Sequence, residues 1–152
     1  MSGVLVEFRD VDFVYPLPAR SRERRFEFSG LSFSIETGEV FGVVGPNSAG
    51  KTSLLRLLTG VLVPTGGHIV VDGRSVATLA GWELARRIAV VPQEAPRPFP
   101  FSVRELVLMG RYPHAPARFF EDAHDAAVAR EAMAEAGVLD LAPLPFEELS
   151  GG

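Results

Sequence analysis

The chain has 152 residues, of which 47% are hydrophobic and 22% charged, a composition typical of globular domains that excludes a disordered or coiled-coil protein. Its formal net charge of −4 disfavours a general electrostatic affinity for nucleic acid. The absence of cysteine excludes disulfides, thiolate zinc sites and cysteine nucleophiles, and no apolar run approaches the roughly 18 residues that a membrane span needs.

The first part of the chain alternates apolar and polar side chains in the way typical of antiparallel strands. The alternation occurs in residues 11–15 and again in residues 31–35, and it predicts two strands of one sheet. Residues 16–25 between them form a polar segment with four arginines. We interpret this segment as a solvated hairpin loop, with a contact to phosphate or to a partner as the alternative.

A second kind of strand is predicted where apolar residues follow one another without a polar face. Residues 40–44 and 88–91 are such runs, typical of strands that are buried on both sides. Residues 66–71 predict another strand, which ends in an Asp-Gly turn. Helices are predicted over residues 53–58 and 84–87.

The part of the chain after residue 93 is predicted to be all-helical. Ser102 and Glu105 have the spacing of a capping box, which would begin a helix that runs to Met109 with Gly110 as its C-cap. The alanine-rich residues 121–136 predict a second helix. No strand is predicted between residues 101 and 143.

Residues 45–52, GPNSAGKT, match the phosphate-loop pattern G-x-x-x-x-G-K-[ST] in full. Its two glycines allow the backbone to curl around phosphate oxygens, and the helix that follows directs its positive end at the same anion. Lys51 can reach the β- and γ-phosphate oxygens, and the Thr52 hydroxyl can ligate Mg²⁺. Lys51 is the single lysine among 15 basic residues, which argues against a chance match. The loop alone does not distinguish kinases, GTPases, helicases and transporters.

Four features in chain order resemble the ATP-binding subunit of ABC transporters. They are Tyr15 at the end of the first β segment, the phosphate loop, Gln93 after Val-Val-Pro, and residues 149–152, LSGG, which resemble the start of the LSGGQ signature. The alternatives are an ordinary strand aromatic for Tyr15, a polar strand end for Gln93, and a frayed tail or a tag remnant for the last residues.

The resemblance spans essentially the whole chain and implies an α/β fold, that of a P-loop NTPase of ABC type. It implies a single ABC ATP-binding domain over residues 1–152, of which these residues form the N-terminal part. Residues 1–93 would form the antiparallel β subdomain and an incomplete RecA-like core with the phosphate loop. Residues 94–148 would form a helical subdomain, and residues 149–152 would begin the signature.

The resemblance also implies a role for each site residue. Tyr15 would stack on adenine, Thr52 and Gln93 would contact Mg²⁺, and Lys51 and Gln93 would be the catalytic residues. The residues expected to hold ATP are Tyr15, Gly45, Pro46, Asn47, Ser48, Ala49, Gly50, Lys51, Thr52 and Ser53. The residues expected to bind the γ-phosphate held by the other subunit of a head-to-tail homodimer are Ser150, Gly151 and Gly152.

Residues 102–114, SVRELVLMGRYPH, resemble the subfamily that energises uptake of iron-siderophores, haem and cobalamin; the alternative is a generic amphipathic helix. The implied function is that of a translocase-class (EC 7) ATPase. It would lie in the cytoplasm on the inner face of the cell membrane and bind integral membrane permease subunits through the helical subdomain. A periplasmic or surface binding protein would be an indirect partner. The alternatives are a soluble ABC-type ATPase, a non-catalytic nucleotide-binding remnant and a small P-loop kinase.

The family continues beyond LSGG with an apolar strand ending in an Asp, a Glu that polarises water, and a switch histidine. None of these follows here, and all three histidines precede the signature. We therefore expect ATP binding with little or no hydrolysis, and an incomplete gene product or an incomplete sequence. Two departures occur in the loop: Ser48 replaces the usual glycine, which is tolerated if Ser48 adopts the loop's dihedral angles, and Thr52-Ser53 inverts the common Ser-Thr order.

Overall fold

The computed structural model describes residues 3–15, 27–93, 101–114 and 122–149. The chain divides into two compact units, Met1–Ile88 and Ala89–Gly152. Within the described ranges, no helix combines the length and the apolar character needed to cross a membrane. The first unit contains a sheet with one long helix, and the described elements of the second unit are helical.

A four-stranded antiparallel sheet is the frame of the first unit. Its strands are β1 (Val4–Val14), β2 (Glu27–Glu36), β3 (Gly66–Val71) and β4 (Arg74–Ser75), in the spatial order β2-β1-β3-β4. The strands predicted from residues 11–15, 31–35 and 66–71 are confirmed in β1, β2 and β3, although β1 ends one residue before Tyr15. The predicted Asp-Gly turn is confirmed as well, because both of its residues have a positive φ, as a tight hairpin turn requires.

A bulge in β1 explains how this strand buries one pair of side chains at even-numbered positions and another pair at odd-numbered positions on the same face. Val6 and Phe8 are buried, and so are Val11 and Phe13, which a regular strand would place on the opposite face. Asp10, between the two pairs, has a φ of 48°, and the register with both neighbouring strands shifts there. The extra residue returns the second pair to the same face.

Helix α1 (Lys51–Leu58) supplies two apolar side chains to the core on this sheet. Leu54 and Leu57 are one helical turn apart and therefore lie on one face of the helix. Leu57 is fully buried, with 0% of its surface exposed. The buried core of the first unit consists of Val6, Phe8, Val11, Phe13, Leu54, Leu57, Ile69, Val71 and Leu84.

The two apolar runs predicted as buried strands are not strands, so this prediction is wrong. Residues 40–44 and 88–91 are irregular, with Val40 98% exposed, Val44 94% and Val91 95%. An apolar segment becomes a strand only where a neighbouring strand pairs with its backbone, and the described sheet ends at β2 and β4. Phe41 is held instead by its ring, which stacks on Phe33 at a centroid distance of 5.0 Å.

The remaining helices begin close to the predicted positions. Helix α2 (Gly81–Ala85) begins three residues before the predicted start. In the second unit, α3 (Val103–Met109) is preceded by the predicted capping box: the Glu105 N–H donates to Ser102 Oγ at 3.3 Å, and the Ser102 N–H donates to Glu105 Oε2 at 2.7 Å. Helix α4 (Ala123–Glu135) lies inside the predicted range 121–136.

Candidate functional site

The phosphate loop has the curled backbone that its sequence requires. Ser48 has a φ of 69° and Gly50 a φ of 89°, so two residues of the loop are left-handed. The Ala49 N–H donates to the Pro46 carbonyl oxygen at 3.2 Å. A Cβ atom on Gly45 would lie 3.1 Å from the Ala49 Cβ, which explains why the loop begins with a residue without a side chain.

The loop leads directly into the N-terminus of α1, which begins at Lys51, two residues before the predicted start. Gly50 is the N-cap residue and has no side chain to accept a hydrogen bond from the first turn. The first turn contains no acidic residue. Amides at such a terminus carry partial positive charge, so this end of α1 has the electrostatics and the donors that fit a phosphate.

Lys51 closes the loop from the helix side. Its Nζ donates to the Gly45 carbonyl oxygen at 2.7 Å and to the Pro46 carbonyl oxygen at 2.8 Å. Both acceptors are neutral, and a charged phosphate oxygen forms a stronger hydrogen bond with an ammonium group. A triphosphate could therefore replace the carbonyl oxygens as the partner of Lys51. Thr52 is exposed beside it, so its hydroxyl is accessible to a metal ion that a nucleotide would carry.

Tyr15 lies close to the phosphate loop, as a nucleotide-binding role needs. Its hydroxyl is 3.1 Å from Ser53 Oγ, and its ring meets that of Phe13 edge-on at 4.9 Å. The hydrogen bond with Ser53 is the main cause of a lowered pKa of the Tyr15 phenol, and Arg56 adds a hydrogen bond and its charge against the opposing effect of burial. The structure thus brings Tyr15 and the residues from Gly45 to Ser53 into one site.

Sequence reasoning did not identify Arg56 as part of this site. Arg56 is three residues after Ser53, so helical periodicity places both on one face of α1. That spacing is the signal that could have identified Arg56 once Ser53 was chosen. The pairing of Tyr15 with Ser53 joins residues 38 positions apart, and no local pattern in the chain indicates it.

The other predicted site residues belong to the second unit or lie outside the described residues. Gln93 belongs to the second unit and is exposed. Ser150, Gly151 and Gly152 lie outside the described residues, as does the whole predicted arginine-rich loop, residues 16–25. In the described ranges, no group of three acidic or histidine side chains could hold a metal ion.

The segment over residues 102–114 is connected to α4 by an ion pair. Arg111 Nε donates to Asp125 Oδ1 at 2.8 Å, and both side chains are largely buried. The pair connects the end of α3 to the first turn of α4. Tyr112 and His114 lie in the short 3₁₀ helix Tyr112–His114, with Tyr112 66% exposed. Tyr112 is therefore accessible to a partner, whereas Arg111 has a structural partner.

Comparison with known proteins identifies one family. The family model for ABC transporters matches residues 28–152. The chain is 48% identical over 119 residues to the cobalamin import ATP-binding protein BtuD of Halobacterium salinarum, covering 78% of this chain and 29% of that protein. It is 48% identical to the hemin import ATP-binding protein HmuV of Gloeobacter violaceus, covering 76% of this chain and 41% of the relative.

A third relative agrees with this family, and a solved structure has the same fold. The ferric enterobactin transport ATP-binding protein FepC of Escherichia coli is 38% identical, with 80% of this chain and 45% of FepC covered. A nucleotide-free ATP-binding cassette from an ABC transporter has the same fold, with a TM-score of 0.76 at 20% identity, covering 98% of this chain and 60% of that one. This chain spans less than half the length of each of the three relatives.

Proposed function

Because the chain belongs to the ABC transporter family, we propose that it is the ATP-binding subunit of an importer for an iron chelate, haem or cobalamin. The observation that carries ATP binding is the phosphate loop, where Lys51 Nζ donates to the Gly45 and Pro46 carbonyl oxygens and no side chain caps the start of α1. The substrate class is supported by the printed names of the relatives, which are import proteins for cobalamin, hemin and ferric enterobactin.

The proposed roles of the loop residues follow from their chemistry. The residues from Gly45 to Ser53 bind the phosphates through backbone amides, and Lys51 neutralises charge on the β- and γ-phosphates. Thr52 and Gln93 would hold Mg²⁺, which would stabilise negative charge on the phosphates. The Tyr15 ring would pack on the base. Lys51 and Gln93 are the residues that we propose take part in catalysis in the complete protein.

The proposed assembly has two further surfaces. The residues that would bind the γ-phosphate held by the second copy of a head-to-tail homodimer are Ser150, Gly151 and Gly152. The helical second unit would bind membrane permease subunits at the cytoplasmic face of the membrane, and a periplasmic or surface binding protein would deliver the substrate. We propose no nucleic-acid partner.

The test is Lys51→Ala, with Arg130→Ala as the matched control. Both changes remove one positive charge, and Arg130 is exposed on α4 in the other unit. Lys51→Ala is expected to weaken ATP binding about 10- to 100-fold, because it removes a charge-assisted hydrogen bond to phosphate. Calorimetric titration with Mg-ATP measures the affinity.

Unchanged ATP affinity in Lys51→Ala would overturn the proposed site. Import is tested with the same variant in the cell. Deletion of the gene should abolish uptake of one labelled chelate, haem or cobalamin, and the parent gene should restore uptake where Lys51→Ala does not. The importer function would be contradicted if Lys51→Ala restored uptake. It would also be contradicted if the deletion left the uptake of chelate, haem and cobalamin unchanged.

A further inference from the structure

The hydroxyl of Tyr15 makes a contact that base stacking does not need. It lies 3.1 Å from Ser53 Oγ, a hydrogen-bond distance at which either oxygen can donate. Ser53 is 7% exposed and is the third residue of α1, two positions after Lys51. The bond therefore joins the end of the central strand β1 to the first turn of the helix that faces the phosphates.

The Tyr15 side chain is also held in place by a residue of the sheet. Its ring packs edge-on against Phe13, whose side chain is almost fully buried in the core. Aromatic pairs in this geometry are favourable and fix the ring orientation. The hydroxyl is thus a donor and acceptor in a defined place, supported by the core rather than by a flexible loop.

The first turn of α1 also packs on the core through Leu54, whose side chain is buried there. No side chain caps the N-terminus of α1. The orientation of the Lys51 and Thr52 backbone thus depends on the anchors at Ser53 and Leu54.

The hydrogen bond to Ser53 is the largest cause of the lowered pKa of the Tyr15 phenol, and Arg56 on the same helix face lowers this pKa further. Loss of the Tyr15 hydroxyl would remove its hydrogen bond to Ser53, which lies in the same helix as Lys51.

We infer that Tyr15 is a positioning residue for the phosphates: through its hydrogen bond to Ser53, its hydroxyl holds the first turn of α1 in the orientation that binds a triphosphate. This inference rests on the proposed function and adds a base-independent role for Tyr15. A residue that acts through stacking alone would lose nothing when tyrosine becomes phenylalanine. A residue that acts through Ser53 would lose affinity even for a ligand without a base.

The experiment compares Tyr15→Phe, Ser53→Ala and the double variant, with Tyr112→Phe as the control that removes the other tyrosine hydroxyl. The probes are ATP and inorganic tripolyphosphate, titrated by calorimetry. Tyr15→Phe is expected to weaken both probes by the same factor, about 3- to 10-fold, the effect of one hydrogen bond. It should have no further effect in the Ser53→Ala background, and Tyr112→Phe should bind like the parent.

A second readout tests the hydrogen bond without any nucleotide. In the Tyr112→Phe background Tyr15 is the only phenol, and its ultraviolet titration should show a pKa below the ordinary value of 10.0. Ser53→Ala should raise this pKa towards that value, whereas an unchanged pKa would overturn the hydrogen bond.

The outcomes separate the inference from the proposed function. If the parent binds both probes and Tyr15→Phe binds them equally well, the positioning role is wrong and ATP binding stands. If Tyr15→Phe weakens ATP alone, Tyr15 acts on the base and the inference is again wrong. If the parent binds neither probe, the proposed function fails and the inference fails with it.

Discussion

Lys51 shows how one side chain can close a loop with a group whose chemistry also suits a phosphate. An ammonium group carries three donors at a single point, so Lys51 reaches the carbonyl oxygens of Gly45 and Pro46 at 2.7 and 2.8 Å at once. The planar fork of arginine spreads its donors and is not equivalent at such a site. This difference gives a physical reason for one lysine at this position in a chain whose other 14 basic residues are arginines.

Ser48 is the residue of the loop with the least favourable backbone conformation. Its φ of 69° is left-handed, which costs a residue with a Cβ about 1–2 kcal/mol. Ser48 therefore adopts the dihedral angles of the loop, which was the condition for serine to be tolerated there, but its backbone is strained. The strain is compatible with a short polar side chain and would be larger for a β-branched one.

Ser48→Gly should be neutral or stabilising by up to about 1 kcal/mol, because relief of strain is partly offset by the greater freedom of glycine in the unfolded chain. Ser48→Val should lower the free energy of unfolding by about 1–2 kcal/mol. Urea denaturation of the two variants measures both effects. Equal stability of the glycine and valine variants would contradict a left-handed residue 48.

At the level of elements, the bulge of β1 and a glycine of β3 fit together. Gly67 has a φ of 67°, and a Cβ atom there would overlap the backbone carbonyl oxygens of Arg9 and Asp10 at the bulge. Backbone oxygens cannot rotate away as the end of a side chain can. The close approach of β3 thus requires glycine at position 67, and the bulge allows β1 to bury both of its apolar pairs.

Gly67→Ala and Gly73→Ala separate this overlap from backbone strain. Both glycines have a left-handed φ, but nothing lies within 4 Å of a Cβ placed on Gly73. Gly73→Ala is expected to cost about 1–2 kcal/mol, the cost of the dihedral angle alone. Gly67→Ala should cost at least about 3 kcal/mol, because strands must also move apart. Thermal denaturation compares the pair, and equal losses would exclude the close approach.

On the scale of the whole molecule, apolar surface is distributed unevenly along the chain. The core of the first unit is dense around β1, β3 and α1, yet the apolar residues 40–44 that lead into the phosphate loop are exposed. Their attachment in the first unit is the stack of Phe41 on Phe33, itself stacked on Phe8 at 4.5 Å. An exposed apolar stretch of this kind favours association with other surfaces.

Val40→Thr tests whether the apolar residues 40–44 are exposed, with Val71→Thr as the matched buried control. The two substitutions are chemically identical, but Val40 is 98% exposed and Val71 2%. Val40→Thr should change the free energy of unfolding by less than about 0.5 kcal/mol. Val71→Thr should lower it by about 1–3 kcal/mol, because it buries a hydroxyl in the core. A loss of similar size at Val40, measured by urea denaturation, would indicate that residues 40–44 are buried after all.

The elements that could be predicted from the sequence are those whose signals are local. The capping box of Ser102 and Glu105 is specified by two side chains and the amides beside them, and it forms as predicted. The Asp-Gly turn after β3 depends on two residues that accept a positive φ. The loop and the start of α1 follow likewise from the eight residues GPNSAGKT, because glycine freedom and helix direction are properties of the segment itself.

The elements that could not be predicted depend on atoms distant in the chain. Residues 40–44 and residues 88–91 have strand-like composition, but pairing needs a neighbouring backbone, which composition does not supply. Val6 and Phe8 share a face with Val11 and Phe13 through the bulge at Asp10. The pattern of local residues was therefore sufficient to indicate a nucleotide-binding loop and its family resemblance. Long-range packing determined which apolar segments are buried, and it placed the Tyr15 hydroxyl on Ser53, because burial and hydrogen bonding between distant residues exist only once the chain has folded.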